Sequence, residues 1–478
     1  MIELSGHASI RDVVAIADRA ETVAVDPRSL EAVRNAHTAA ADLGARVPTY
    51  GRTTGVGANR HTEVSEGDDG HGMRLLRSHA VDGGAPLPER TVRAMLAVRL
   101  NQLCVPGSGI DPGILGALER MLNDDALPTV LEFGSIGTGD LAALAGTALT
   151  LIGERPASRP LEPMPAWGVD SALPFMSSNA LTMARACLGV SELATLERAS
   201  NLVYLLSFLA LDGNEEAFSE PAAAASANDS VSRVAARLRS TLSGIATEGR
   251  RAARIQDPYG LRVYAVTEGP LAGAISVLDG QLTGLINRAQ ENPLFDIATD
   301  AVIHHGTFFQ APLALAIDAT TLAIAQTAPI THSRIRMMNE PDYTGASPFL
   351  AGGPAGASGL MMVEYVAAGA IAELRAAAQP ASLGTLVLSR GVEDGASYAS
   401  QGAVQLERAV GAYRVLLACE LVGAMRLLRT KGVDAHASGI LGDALGVASA
   451  LSADDSDRDL RGDIALAGKL LDELGQLG

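Results

Sequence analysis

Apolar residues recur at three- and four-residue spacing along most of the chain, the pattern of helices that bury one face. Leu30–Leu43 and Glu89–Leu103 carry it with charged residues on the opposite face. Asp111-Pro112 reads as a helix start, because a proline in the first turn loses no hydrogen bond, and Ile114–Asn123 continues it. Further helices are predicted over Asp140–Ile152, Ala180–Leu211, Ser230–Leu242, Gly269–Ala289, Ala311–Ala328, Gly359–Ala378, Ser400–Leu428 and Asp457–Leu474. Strand-like alternation is short and rare, best developed at Val302–Phe308. Glycine clusters at Gly67–Gly72, Gly83-Gly84 and Gly352–Gly359 punctuate the chain, the last as a tight turn before a long helix. No repeat with a period of roughly 20–50 residues is present.

The longest helices fall between residues 180 and 430, and several are apolar on most faces. Such helices must be covered on all sides, in a bundle or between subunits. The first 170 residues are richer in loops and glycine. The expected fold is therefore mainly all-α. A loop-and-helix part over 1–170 carries the candidate chemistry, and 171–478 forms a long-helix bundle with C-terminal helices.

Composition narrows the function. Hydrophobic residues make up 47% of the 478 residues and aromatics 4%, which suits packed helices. A net charge of −17 with only two lysines, Lys431 and Lys469, argues against nucleic acid, which needs clustered cations. Cys104, Cys187 and Cys419 lie far apart in apolar runs and read as reduced core residues. The segment Met1–Ala24 mixes acids among its apolar residues and is no signal peptide. The most apolar stretch, Ala311–Pro329, contains Asp318 and several threonines, so a core helix is expected there and not a membrane span. A soluble, cytoplasmic protein without membrane or nucleic-acid partners is the expectation.

Three segments carry the chemistry. They are Tyr50-Gly-Arg-Thr-Thr-Gly-Val-Gly57, Glu132-Phe-Gly-Ser-Ile-Gly-Thr-Gly-Asp-Leu-Ala-Ala-Leu144, and Gln256-Asp-Pro-Tyr-Gly-Leu-Arg262. They resemble the YGxxTGFG loop, the GSVGASGDLAPL signature and the QDxYSLR motif of the aromatic amino acid ammonia-lyases and 2,3-aminomutases. Weaker echoes follow in the same order: Leu75–Ala80, Glu291-Asn-Pro-Leu294, Gly306–Phe309 against GNFH, and Val392-Glu-Asp394 against the QED of the histidine enzymes. The resemblance implies a histidine ammonia-lyase-like fold and a homotetramer whose active sites draw on several subunits. It also implies a self-made electrophile, 4-methylidene-imidazol-5-one (MIO), cyclised from Ala-Ser-Gly.

This chain departs from that pattern. Aligned without a gap, Ala-Ser-Gly becomes Gly137-Thr138-Gly139. Dehydration of Thr138 would give an ethylidene whose methyl hinders attack, and Gly137 adds backbone freedom to a cyclisation that depends on a pre-positioned loop. The Asn that holds the ring carbonyl falls on Ser177. The expected state is a chain without MIO, and neither metal nor nucleotide is implied.

By resemblance, Tyr50 is the base, Tyr259 a second catalytic tyrosine and Arg262 the clamp for a substrate carboxylate. His79 and Glu393 would read a polar or basic side chain, with Gln256 and Phe308 lining the pocket. Each has a plainer alternative. Tyr50 as a base needs its pKa lowered, usually by a nearby cation; Arg262 could be a salt bridge to Asp257; Gln256 and Tyr259 could cap a helix; a lone histidine such as His79 is often structural. His304-His305 is no metal motif, since adjacent strand residues face opposite ways. Gly134–Gly139 lacks the lysine and βαβ setting of a phosphate loop. The reading is a lyase-type enzyme for a small amino-acid-like carboxylate. The alternatives are an MIO-dependent ammonia-lyase or aminomutase, or an inactive helical scaffold that binds a metabolite.

Overall fold

The computed structural model describes residues 1–65, 67–68, 70–243, 252–432 and 438–478. The chain forms two compact units. The first comprises Met1–Ser191, Leu278–Ile317 and Pro380–Val404; the second comprises Glu192–Val277, Asp318–Gln379 and Gln405–Gly478. The long helices are Ala180–Ala210, Tyr264–Ile286, Ala311–Asn339 and Ala399–Thr430. Among the described residues strand is confined to three two-stranded pairs: Ile2–Leu4 with Val23–Val25 in parallel, and Gly83–Pro86 with Leu131–Phe133 and Leu294–Asp296 with Ala301–Ile303 antiparallel.

In the first unit Glu89–Leu103 forms the helix predicted for it, but beyond the exposed Glu89 and Arg90 its polar side is not solvated. Arg93, Arg99, Asn101 and Gln102 are all buried, and each finds partners. Arg93 donates to the carbonyls of Ile16 and Leu122, and Arg99 to those of Pro174 and Phe175 and to Glu291. Burying such groups is tolerable only when their hydrogen bonds are replaced. Pro27–Gly44 starts on a cap in which the Asp26 carboxylate accepts from the Ser29 amide, with Pro27 at the first helical position.

Two helices outrun their sequence limits. The helix expected to stop at Ala328 continues through Pro329 to Asn339, and Tyr264–Ile286 contains Pro270. An interior proline costs about 3 kcal/mol in isolation. Burial of Ile335, Met337 and Met338 in the added turns offsets it. Ala311–Asn339 is long and apolar enough to cross a membrane by composition, yet it buries Asp318 and Arg334 within the protein. The strand expected over Val302–Phe308 ends at Ile303, and Thr307–Phe309 closes instead into a short 3-10 turn. Helices at Ile10–Ala17, His71–His79 and Gly439–Ala448 escaped the periodicity because they are short. The Gly352–Gly359 turn is occupied by the protein itself: the Asp457 carboxylate accepts from the Ser358 and Gly359 amides.

Candidate active site

Tyr50 opens a loop shaped by glycine and by one buried cation. Gly51 has φ +75° and packs on Leu173, leaving no space for a side chain. Arg52 lies beneath it, 4.3 Å over the Phe295 ring, and donates to the carbonyls of Gly109 and Asp170. Burial brings its pKa down to about 10. Tyr50 is held at both ends: its amide donates to His304 Nε2 (3.3 Å), and its hydroxyl accepts from the Gly57 amide (2.7 Å).

The expectation of a lowered phenol pKa is not met within the chain. Burial, reinforced by the Glu393 carboxylate, pushes Tyr50 above its ordinary value; the Gly57 hydrogen bond and Arg60 oppose this without reversing it. A phenolate here needs positive charge beyond what Arg60 supplies.

The 134–140 loop packs against the segment that starts helix Ala399–Thr430. Gly137 has φ +85°, and a Cβ there would lie 2.5 Å from Ser397 Oγ, 2.6 Å from the Ala399 amide nitrogen and 3.0 Å from that of Tyr398. Ser397 Oγ donates to the Gly137 carbonyl (2.8 Å), the Tyr398 amide to that of Ile136 (3.0 Å), and Ser400 Oγ to that of Ser135 (3.3 Å). Beyond the loop Asp140 is buried, accepting from the amide and hydroxyl of Thr182, with its pKa raised by burial.

Tyr50, Thr138, Ser177, Phe308 and Glu393 line one cavity of about 480 Å³, together with Arg60, Leu141, Asn292 and His304. Phe308 is steadied through its carbonyl by Asn179 Nδ2. Ser177 Oγ accepts from the Asn292 amide, and Asn292 Oδ1 from the His305 amide. His305 turns away to the Glu291 carbonyl, whereas His304 faces the cavity. Glu393 Oε2 is buried without a hydrogen-bond partner among the described residues, an acceptor left for something else. His79 is not among the lining residues; its Nδ1 meets the Leu75 carbonyl (2.8 Å) at the end of its own helix. Arg60, Asn292 and His304 carry no clear sign of a site role in the sequence: Asn292 lies inside Glu291-Asn-Pro-Leu294, and His304 reads there only as a rejected metal ligand.

Gln256 and Arg262 line a different cavity, of about 540 Å³ and within the second unit, with Asn214, Ile255 and Asp257. The Arg262–Asp257 salt bridge does not form, because Asp257 accepts from Arg254 Nε (2.7 Å) and the Asn214 amide (2.6 Å). The Arg262 guanidinium instead stacks 4.6 Å over the Tyr259 ring, and its Nε is buried without a partner among the described residues. Tyr259 is itself 63% exposed. Among the described residues no group of three or more His, Cys, Asp or Glu converges as a metal site would require.

The sequence pattern of the aromatic amino acid lyases matches residues 8–445. The chain is 34% identical over 455 residues to the histidine ammonia-lyase of Geobacillus thermodenitrificans, covering 91% of this chain and 90% of that one. It is 30% identical over 485 residues to that of Stigmatella aurantiaca, with 97% and 94% covered. Its fold is similar to that of the ergothioneine-degrading ergothionase of Treponema denticola, solved with desmethyl-ergothioneine sulfonic acid (TM-score 0.89, 23% identity, 100% and 99% covered). It is equally similar to tyrosine aminomutase from Streptomyces globisporus (TM-score 0.89, 23% identity, 100% and 97% covered).

Proposed function

The chain belongs to the aromatic amino acid lyase family and is a lyase, and on that premise we propose that it eliminates an amine from a small amino-acid-like carboxylate with a polar or basic side chain, without MIO. The observation that carries this reading is one cavity in which Tyr50 and Glu393 accompany Thr138 of a loop that has no room for the family's alanine.

Family members make MIO from their own chain, and the residues here do not fit it. The space a Cβ at Gly137 would need is filled by Ser397 and Ala399, and the carbonyls of Ser135, Ile136 and Gly137 are all engaged by the 397–400 segment. The gap-free register holds counted back from Asp140; from Gly134-Ser135 to Asp140 the loop is one residue shorter than GSVGASGD. At the position of the ring-holding Asn stands Ser177, a shorter side chain with one O–H donor, whose oxygen accepts from the Asn292 amide.

Elimination then rests on the chain's own groups and on the substrate. The Tyr50 phenolate takes the β-proton, the C–H pair becomes the new double bond, and the amine leaves with the C–N pair. Glu393, whose Oε2 has no partner among the described residues, holds a cationic side chain. An imidazolium next to the β-carbon would also make that proton more acidic. Arg262 grips the carboxylate as a planar fork. We place it, with Gln256 and Tyr259, at a site completed by other subunits of a homotetramer. Val277 and Leu315 on two of the long helices and Tyr365 on helix Met361–Ala377, each more than 60% exposed, are surface that such assembly would cover. A cytoplasmic location accompanies this reading. A quaternary amine needs no electrophile to leave, so histidine betaines, the class of ergothioneine, stand beside histidine as substrates.

Intact-mass spectrometry tests the loop. The expected result is the full chain mass and no near-ultraviolet band; a deficit of two waters on the peptide containing Thr138 overturns it. Thermal-shift titration with L-histidine, urocanate and desmethyl-ergothioneine sulfonic acid tests the substrate class, since a ligand of the native state raises Tm. No shift with any of the three overturns it.

A further inference from the structure

In the second unit a buried side-chain network has no part in the chemistry derived so far. Arg334 and Glu420 are 1% and 0% exposed and pair through two hydrogen bonds, Nε to Oε1 (2.5 Å) and Nη2 to Oε2 (2.8 Å). Ser207 Oγ adds a third bond to Glu420. The guanidinium lies 5.3 Å from both the Tyr204 and Tyr264 ring centroids, and those rings stack on each other at 3.9 Å. A buried ion pair is weak evidence for stability, because well-packed apolar residues often serve as well. What distinguishes this one is where its remaining donors go.

Arg334 Nη1 donates to the Gly260 carbonyl (2.9 Å), and the Tyr204 hydroxyl donates to the Leu261 carbonyl (2.8 Å). These two carbonyls immediately precede Arg262. Gly260 also lies against Ser333 and Met337, the neighbours of Arg334 on its helix, so closely that a Cβ would stand 2.9 Å from Ser333 Oγ and 2.8 Å from Met337 Cε. The turn is therefore held on consecutive residues, while the Arg262 head group has, among the described residues, only the Tyr259 ring. An unpaired cation on a loose turn would find solvent or a nearby acid; here the backbone under it cannot follow.

We propose that Arg334 and Tyr204 are positioning residues, a buried brace that fixes the Gly260–Leu261 backbone and so presents Arg262 to a carboxylate. The proposal rests on the reading of Arg262 as the carboxylate clamp. Geometry of about 10–20° and half an ångström matters for a two-pronged contact, and a point charge on a mobile backbone would not supply it.

The test uses Tyr204→Phe, which removes one hydroxyl, with Glu420→Gln, which leaves Arg334 an acceptor. Hydrogen exchange over residues 256–262 comes first and needs no ligand. The expected result is several-fold faster exchange there in Tyr204→Phe, with the rest of the second unit and Tm nearly unchanged. Unchanged protection overturns the brace whatever the enzyme acts on. Affinity for L-histidine is then compared with that for histamine, which lacks the carboxylate. Tyr204→Phe and Glu420→Gln should weaken L-histidine about 5- to 10-fold, one hydrogen bond's worth, and leave histamine within twofold. Equal losses for both, or none, overturn the proposal. If wild type itself binds histamine as well as L-histidine, it is the clamp reading of Arg262 that fails, and faster exchange in the variant would still stand for the brace.

Discussion

The loop carrying Gly137 and the turn carrying Gly260 each place glycine where the resembled motifs have a side chain, alanine in one and serine in the other. They reach that residue for different reasons. Gly137 sits at φ +85° with the backbone nitrogens of Ala399 and Tyr398 where its Cβ would go. Gly260 has no such φ, and its nearest atoms are the end of Met337 and the hydroxyl of Ser333. The first glycine is demanded by the path of the chain, the second by close approach of a helix. One region is built from backbone conformation and the other from buried side chains, and the two should fail differently.

The largest effect is expected at Tyr50. Tyr50→Phe removes the proposed base and the acceptor for the Gly57 amide, and kcat should fall by about 10²–10⁴-fold. Ligand binding and Tm should change little, since the loop is also held through Arg52 and Gly51. Full activity on any substrate would remove Tyr50 from the mechanism.

Next comes the glycine pair itself. Gly137→Ala must enter left-handed space and displace backbone, which costs about 2–4 kcal/mol. Gly260→Ala meets the ends of Met337 and Ser333, which can swing away, and the Ser333 Cβ at 3.1 Å, which needs only a small shift, and should cost about 1–2 kcal/mol. Denaturant midpoints of the two variants measure the difference directly. Equal losses would mean that both glycines answer to packing alone, and would weaken the case that the 134–140 loop is locked.

That contrast also marks what could be read from the chain alone. Motifs made of glycine and one reactive residue, such as Tyr50–Gly57, keep their meaning in sequence because backbone conformation is a local property. The long helices were legible for a similar reason, as periodicity is local; only their ends moved, where Pro329 suggested a stop that burial of Met337 and Met338 overrode. Arg52, Arg99, Arg334 and Glu420 were illegible, because a buried charge declares itself only through partners distant in the chain. The grouping of His304 and Asn292 with Tyr50 has the same cause. It depends on a turn of the chain after Ile303 that the alternating pattern did not reveal.

Arg262→Lys should act less than either change in the first region, and on binding alone. Lysine keeps the charge but loses the fork and its stacking on Tyr259, so affinity for a carboxylate ligand should drop by about 10- to 100-fold, near 1.5–3 kcal/mol. kcat should hold within a few-fold. A kcat loss as large as that of Tyr50→Phe would place Arg262 in the chemical step instead.

The last effect is one of pH, spread over several pH units, and it belongs to the region built from buried side chains. Glu268 is 1% exposed, accepts from Ser200 Oγ, and has its pKa raised to about 8, chiefly by burial and then by Glu197; the Ser200 bond and Arg334 oppose the shift, and Glu420 adds to it. Its ordinary value is 4.5. Between those two values the folded chain holds a proton that the unfolded chain releases, so this group's contribution is complete below pH 4.5 and declines as pH rises toward about 8. The decline should be on the order of 2–4 kcal/mol, less than the full shift implies because the interior relaxes around a new charge. Glu268→Gln keeps the shape and a partner for Ser200 but cannot ionise. The difference in unfolding free energy between wild type and variant isolates this one group, since other titrations cancel. That difference should move in favour of the variant from pH 5 to pH 8. A difference that stays flat across that range would mean that Glu268 is already solvated or ionised in the folded chain, and that the interior around Ser200, Tyr264 and Arg334 is wetter than its packing implies.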